Sequence, residues 1–186
     1  MHNLISTTVR GSLALLLAAG GAALSAQGKA SEQRFGVNLT LSVTIDTPGD
    51  TPDMLGVGFG AFWEMPFFST ANLTGRASLN YVTSGATEGV HGGYYQSVDY
   101  GMNQLGLAYD ALWLSGEQFY VLGGLGYYSS KASKTVNDGK PQETEYSGIG
   151  FNLGGGYRLG KHFAIEYKYV LTSEYPRQQV SWMWRF

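Results

Sequence analysis

Cysteine is absent from the 186-residue chain. That excludes a disulfide framework, a thiol nucleophile and thiolate metal sites. Charge is scarce: Asp, Glu, Lys and Arg together make up 14% of the residues, against ~25% in an ordinary soluble domain. The formal net charge is −2, so no basic face is available for nucleic acid. Nowhere do 18 apolar residues run together, which removes a mature membrane-spanning helix. What is plentiful is aromatic side chains, at 14%, and glycine, at 27 residues. A disordered chain would show the opposite balance, poor in aromatics and rich in charge. The length suits one domain, or two at most. The class left open is a sheet whose apolar face meets lipid.

The first 25 residues read as an export signal. Arg10 and the amino terminus supply a weakly positive start, and Ser12–Leu24 is an apolar run. It is too short to cross a ~30 Å hydrocarbon core as a helix. Ala23-Leu24-Ser25 offers a small-x-small cleavage pattern, a cut after Ala26 is the close alternative, and no cysteine follows to carry a lipid anchor. Residues 1–25 are therefore expected to be removed. Residues 26–33 form a short amino-terminal periplasmic segment, and 34–186 form the barrel domain.

From Arg34 onward the period of the sequence is two, the strand period. Phe35, Val37, Leu39, Leu41, Val43 and Ile45 are apolar, while Gly36, Asn38, Thr40, Ser42, Thr44 and Asp46 lie between them. Seven further segments repeat the pattern: Leu55–Met65, Leu73–Tyr81, Val98–Trp113, Phe119–Ser129, Ile149–Leu159, Phe163–Leu171 and Val180–Phe186. The fourth changes parity: Val98, Tyr100 and Met102 are apolar on one, Leu105, Leu107 and Tyr109 on the other. A bulge near Asn103 would reconcile the halves. The fifth carries aromatics on both parities, so its register is open.

The connections alternate in length. Pro66–Thr70, Ser115–Gln118 and Gly160–His162 are short. Thr47–Asp53, Thr83–Tyr95, Lys131–Glu145 and Thr172–Gln178 are longer and rich in turn residues. Short turns at one end and long loops at the other are the layout of outer-membrane barrels. The expected fold is an all-β, eight-stranded antiparallel transmembrane β-barrel, an up-and-down meander with both ends of the mature chain on the periplasmic side.

A soluble ligand-binding barrel with the apolar set inside is the alternative. Against it, the polar face is mostly Gly, Ser, Thr and Asn, whereas a solvated surface carries roughly 25–35% charged residues. An eight-stranded interior is just wide enough to be filled by side chains, and Trp63, Trp113, Trp182 and Trp184 would crowd it. With the apolar face in lipid, Glu64, Asp110 and Glu166 point inward with Arg76, Arg158, Lys168 and Arg185. Three acids and four bases nearly balance, and buried charges need partners. These seven residues are expected to pair across the lumen and plug it. A narrow passive channel is the competing reading, although a selective pore would more readily show a ring of one sign.

FYVLGGLGYYSSK, GFNLGGGYRLGKHFAIEYKYVL and the terminal VSWMWRF resemble the outer-membrane β-barrel domain family of Gram-negative bacteria, in particular its small OmpA/OmpX-type barrels. The resemblance covers about Arg34 to Phe186. It implies residence in the cell outer membrane as a monomer, contact with outer-membrane lipid and lipopolysaccharide, and passage past periplasmic chaperones to the barrel-assembly machinery. Trp182, Trp184 and Phe186 resemble the terminal-strand signal read by that machinery. The family carries no shared catalytic residues to transfer, and no cofactor.

Independent chemistry is hard to find. Gly155–Lys161 fits G-x-x-x-x-G-K, but His162 stands where Ser or Thr is needed and no helix follows. His91 in a glycine-flanked loop and His162 in a short turn lie at opposite ends. Neither has a Ser and an acid on the same strand face, as a nucleophilic site requires. A non-catalytic role is expected, structural in the membrane or exerted through Thr83–Tyr95 and Lys131–Glu145, because loops on a rigid scaffold usually carry the contacts.

Overall fold

The computed structural model describes residues 33–45, 52–66, 72–92, 94–116, 118–137 and 139–186. The expected export signal over 1–25, and all but the last residue of the 26–33 segment, lie outside them. Eight strands follow in order: β1 Arg34–Thr44, β2 Met54–Pro66, β3 Leu73–Gly92, β4 Tyr94–Ser115, β5 Phe119–Val136, β6 Gln142–Arg158, β7 Phe163–Leu171 and β8 Arg177–Arg185. Each pairs antiparallel with the next, and β8 returns to pair with β1, so the sheet closes on itself. Closure leaves no unpaired edge around the ring, which is the condition for a sheet to sit in hydrocarbon.

The alternation of the sequence becomes an alternation of burial. In β2, Leu55, Val57, Phe59, Ala61 and Trp63 face out, while Met54, Gly56, Gly58, Phe62 and Glu64 are buried. Leu55 is 72% exposed and Ile149 70%. Every strand adds to this apolar belt, which is far larger than the patches a monomer keeps in water. Its upper edge is sharp. The outward sequence passes from Tyr81 to Thr83 on β3, from Leu105 to Asn103 on β4, from Tyr127 to Ser129 on β5 and from Ile149 to Ser147 on β6. About five outward positions per strand remain below that edge, close to the ~9–11 residues a tilted strand needs to cross a bilayer.

Above the edge the pattern inverts. Val98 and Met102 are buried and point inward, whereas Ser97 and Asn103 are exposed. The β3–β4 register runs without interruption from Leu73–Trp113 to Gly92–Tyr94, and the β4–β5 register through the same stretch is equally continuous. The expected bulge near Asn103 is therefore absent. The parity of the apolar residues changes because the surroundings change: lipid lies outside below the edge, and water above it.

The strands also differ in length. β3 to β6 have 20, 22, 18 and 17 residues, whereas β1, β2, β7 and β8 have 11, 13, 9 and 9. The segments expected as loops, Thr83–Tyr95 and Lys131–Glu145, are for the most part strand. They form two hairpins that continue the sheet, and His91 belongs to β3 instead of a loop. From Thr83 to Gly92 the rise is roughly 30 Å at ~3.3 Å per residue. Likewise Arg177 and Gln178, expected in the last long connection, open β8.

Candidate functional site

The lumen is filled by side chains. Its lower part centres on Arg76 of β3, which is 2% exposed. Arg76 donates to Glu64 Oε1 from Nη2 at 2.8 Å and from Nε at 3.2 Å, and from Nη1 to Glu166 Oε2. The Tyr120 hydroxyl donates to the same Glu166 oxygen at 2.8 Å. The guanidinium also lies over the Phe62 and Tyr120 rings at 5.2 and 5.5 Å. Arg158 and Arg185 approach Glu64 Oε2 at 3.7 and 4.0 Å. One cluster thus joins β2, β3, β5, β6, β7 and β8 across the barrel. Charge-assisted, forked contacts of this kind are the strong ones, and pairing is what makes such burial affordable in free energy.

A second group lies beside it. Lys168 Nζ is 3.6 Å from Asp110 Oδ2. Asn152 donates to Asp110 Oδ1 at 2.7 Å and accepts from the Tyr128 hydroxyl at 2.5 Å. All seven charged residues expected inside point into the lumen, grouped as Glu64, Arg76, Glu166, Arg158 and Arg185 in one set and Asp110 with Lys168 in the other. Arg76 and Asp110 face each other in register, yet the guanidinium turns to the two glutamates.

Sequence reasoning missed Arg177, which is 1% exposed. It also missed the inward tyrosines. A Cβ at Gly156 would lie 2.3 Å from the Tyr120 ring, and one at Gly106 2.7 Å from the Tyr128 ring. The lumen glycines are thus partly the seats of these two rings. The usable signal was the pairing of each glycine with an inward aromatic on the neighbouring strand.

At the end of the barrel that carries the long hairpins, Met54, Met102 and Tyr175 form a small core with Ala86, Tyr100, Ala132 and Tyr146. Tyr146 and Tyr175 meet edge to face at 5.3 Å, and burial pushes the Tyr175 hydroxyl up to about 12. On the outer surface of the β5–β6 hairpin, Lys131 and Glu143 pair at 2.8 Å, and that contact raises the Lys131 ammonium. This exposed pair contributes little to stability.

Trp182 and Trp184 lie on the outward face of β8, with Phe186 just beyond its end. Trp184 packs edge-on against Phe163 at 5.6 Å, and the Phe186 amide donates to the Phe35 carbonyl at 2.7 Å. His162 Nδ1 lies 2.9 Å from the Arg185 carbonyl oxygen, a structural contact at the turn. Gly160, at φ 128°, makes that turn, so the G-x-x-x-x-G-K match is the end of a strand and a hairpin. Among the described residues no cluster of three or more His, Asp or Glu could hold a metal ion.

The family profile described as outer membrane protein beta-barrel domain matches residues 14–180. No curated protein sequence matches the chain. Among solved structures the chain is similar to Ail, the attachment invasion locus protein of Yersinia pestis, in complex with the heparin analogue sucrose octasulfate. Identity is 17%, the TM-score is 0.57, and the match covers 84% of this chain and 100% of that one. It is also similar to Neisserial surface protein A, at 11% identity and a TM-score of 0.53, covering 84% and 97% of the two chains. At these identities the likeness shows the fold.

Proposed function

The chain belongs to the outer membrane protein β-barrel domain family and resides in the outer membrane, and from that premise we propose that it acts there without catalysis, as a closed scaffold holding the β3–β4 and β5–β6 hairpins out as a contact surface. The observation that carries this reading is the length of β3 to β6, twice what the membrane needs, against β7 and β8, which end near the belt. A sheet extended that far, with its own small core of Met54, Met102 and Tyr175, is ordered in a way that a spare loop is not. Order favours contact, because little conformational entropy remains to be lost on binding.

The surface does not suit polyanions. Residues 83–97 and 131–145 together carry Lys131, Lys134 and Lys140 against Glu88, Asp138, Glu143 and Glu145. The sulfated ligand in the Ail structure therefore has no matching patch here, and a protein surface fits better. Replacing residues 83–103, whose flanking residues Val82 and Gln104 are register partners, by a two-residue Asn-Gly turn should leave the barrel folded, with heat-modifiable gel mobility retained. It should abolish the adhesion that the full-length chain confers on expressing cells plated on protein-coated surfaces. Full adhesion by the trimmed chain would overturn the reading.

A narrow channel is the competing reading. Leu112, Leu114, Leu122 and Tyr120 are buried together beside the Arg76 cluster, which favours closure. Planar-bilayer recording of the purified chain is expected to give no steady unitary conductance.

The outward Trp182, Trp184 and Phe186 fit a role in recognition by the barrel-assembly machinery after delivery by periplasmic chaperones. Deleting Phe186 also removes the hydrogen bond from its amide to the Phe35 carbonyl that helps close β1 on β8. Its deletion should deplete the protein from the outer-membrane fraction at unchanged synthesis, as read by fractionation and immunoblot. The closed ring has no edge to lend to a second copy, which supports a monomer surrounded by lipid and lipopolysaccharide.

A further inference from the structure

Among the described residues, five basic side chains point into the lumen, Arg76, Arg158, Lys168, Arg177 and Arg185, against three acidic ones, Glu64, Asp110 and Glu166. Each acid is already engaged. Glu64 meets Arg76, Arg158 and Arg185. Glu166 meets Arg76 and Tyr120, and Asp110 meets Lys168 and Asn152. Arg177 is left with neutral company. Its guanidinium lies over the Tyr128 ring at 5.6 Å. With the Gln179 amide turned so that its oxygen faces the guanidinium, that oxygen accepts from Nε at 2.8 Å and from Nη2 at 3.1 Å. Nη1 has no hydrogen-bond partner, although the residue is 1% exposed. An arginine does not shed its proton to escape burial, so the counter-charge has to come from elsewhere.

We propose that the upper lumen binds a halide ion from solvent against the Arg177 guanidinium beside the Tyr128 ring. Two further observations point the same way, and a third limits the charge of the ligand. First, Ser42, Thr44 and Ser84 carry buried hydroxyls with no partner among the described residues. Thr44 is the register partner of Arg177 on β1, and Ser42 and Ser84 flank Gly56. The Thr44 hydroxyl and the Arg177 Nη1, unpartnered at register-paired positions of β1 and β8, are donors of the kind a desolvated anion needs. Second, a cleft of about 100 Å³ lined by Tyr128, Ser130, Thr172 and Tyr175 opens at the extracellular mouth and reaches the ring on which Arg177 rests. Water occupies ~30 Å³ per molecule in the liquid, so the cleft admits an ion of that size. Third, the one carboxylate in that lining is Glu174. It repels multiply charged anions more strongly than single ones, which narrows the ligand to a monoanion.

The test uses the folded chain in detergent. Thermal unfolding is followed in sodium chloride and in sodium gluconate at equal ionic strength, and crystals are soaked in sodium bromide for anomalous diffraction. The expected result is a midpoint that rises with the logarithm of chloride concentration, as mass action on a folded-state site requires, and does not rise with gluconate, together with a bromide peak in contact with Nη1. Arg177→Met should remove both, while Lys134→Met, which deletes an exposed rim cation, should keep both. Identical midpoints in the two salts, or no bromide peak, would overturn the proposal. So would a bromide peak without any difference in solution, which marks an adventitious ion only. The wild-type measurements decide even where Arg177→Met fails to fold.

Discussion

Arg76→Met should lower the unfolding free energy of the barrel by about 3–5 kcal/mol, the usual cost of removing one partner from a buried ion pair. The size of the effect follows from what is left behind. Glu166 is 3% exposed and has Arg76 as its one salt-bridge partner among the described residues. Glu64 keeps only the longer approaches of Arg158 and Arg185, at 3.7 and 4.0 Å. The guanidinium stacked on Phe62 and Tyr120 is replaced by a thioether that fills much of the volume but neutralises nothing. Urea titration of the refolded chain in detergent, followed by tryptophan fluorescence, gives the number. The double variant Arg76→Met/Glu166→Gln removes one stranded charge and should recover part of the loss. Arg76→Lys keeps the charge but not the fork, and should fall between the wild type and Arg76→Met. A single Met variant as stable as the wild type would show that the cluster contributes nothing to holding the barrel closed.

That cluster was visible in the sequence because its members sit at polar positions of strongly alternating segments. Glu64 lies between Trp63 and Met65, and Glu166 between Ile165 and Tyr167. Where lipid is the solvent on one side, period two is a strict rule, and it marks the inward set without any structure. The rule stops working where lipid stops. Above Tyr81 and Tyr127 water wets the outside, so outward residues become Thr, Ser, Asn and Gly, which in a sequence also look like loop. That is why the two hairpins look like loops in the sequence and why the parity change at Asn103 suggests a bulge. Arg177 was lost for the same reason: it follows Glu174, Tyr175 and Pro176, a stretch with turn composition, and nothing local shows that the next residue enters the lumen. Tyr120 and Tyr128 were ambiguous because β5 has aromatics on both faces. Only the glycines on β4 and β6 that seat their rings distinguish the inward ones, and strand pairing has to be known first. The interior was also not the small-residue space that the glycine content suggests, since the missing side chains make room for rings from the neighbouring strand.

The same division between lipid and water predicts the largest effect of a surface substitution. Leu153 lies outward on β6, with Phe151 and Ile149 above it and Tyr157 below, so it belongs to the middle of the belt. Leu153→Arg places a guanidinium near the bilayer midplane at a cost of ~2–4 kcal/mol. Its own strand offers no acid on that face below Glu145, so no nearby carboxylate can offset the charge. Folding into lipid vesicles should drop sharply, read as loss of the heat-modifiable band, and expressed protein should leave the outer-membrane fraction. The control has to share the charge but not the depth. A lumen position will not serve, because Asn152 is held by both Asp110 and Tyr128 and has no room for arginine. Thr87 on β3 does serve: it is exposed, lies above the edge of the belt, and bonds to Asp99. Thr87→Arg should fold like the wild type. Equal insertion of the two arginine variants would mean that Leu153 does not face hydrocarbon, and the placement of the belt around the barrel would have to be abandoned with it.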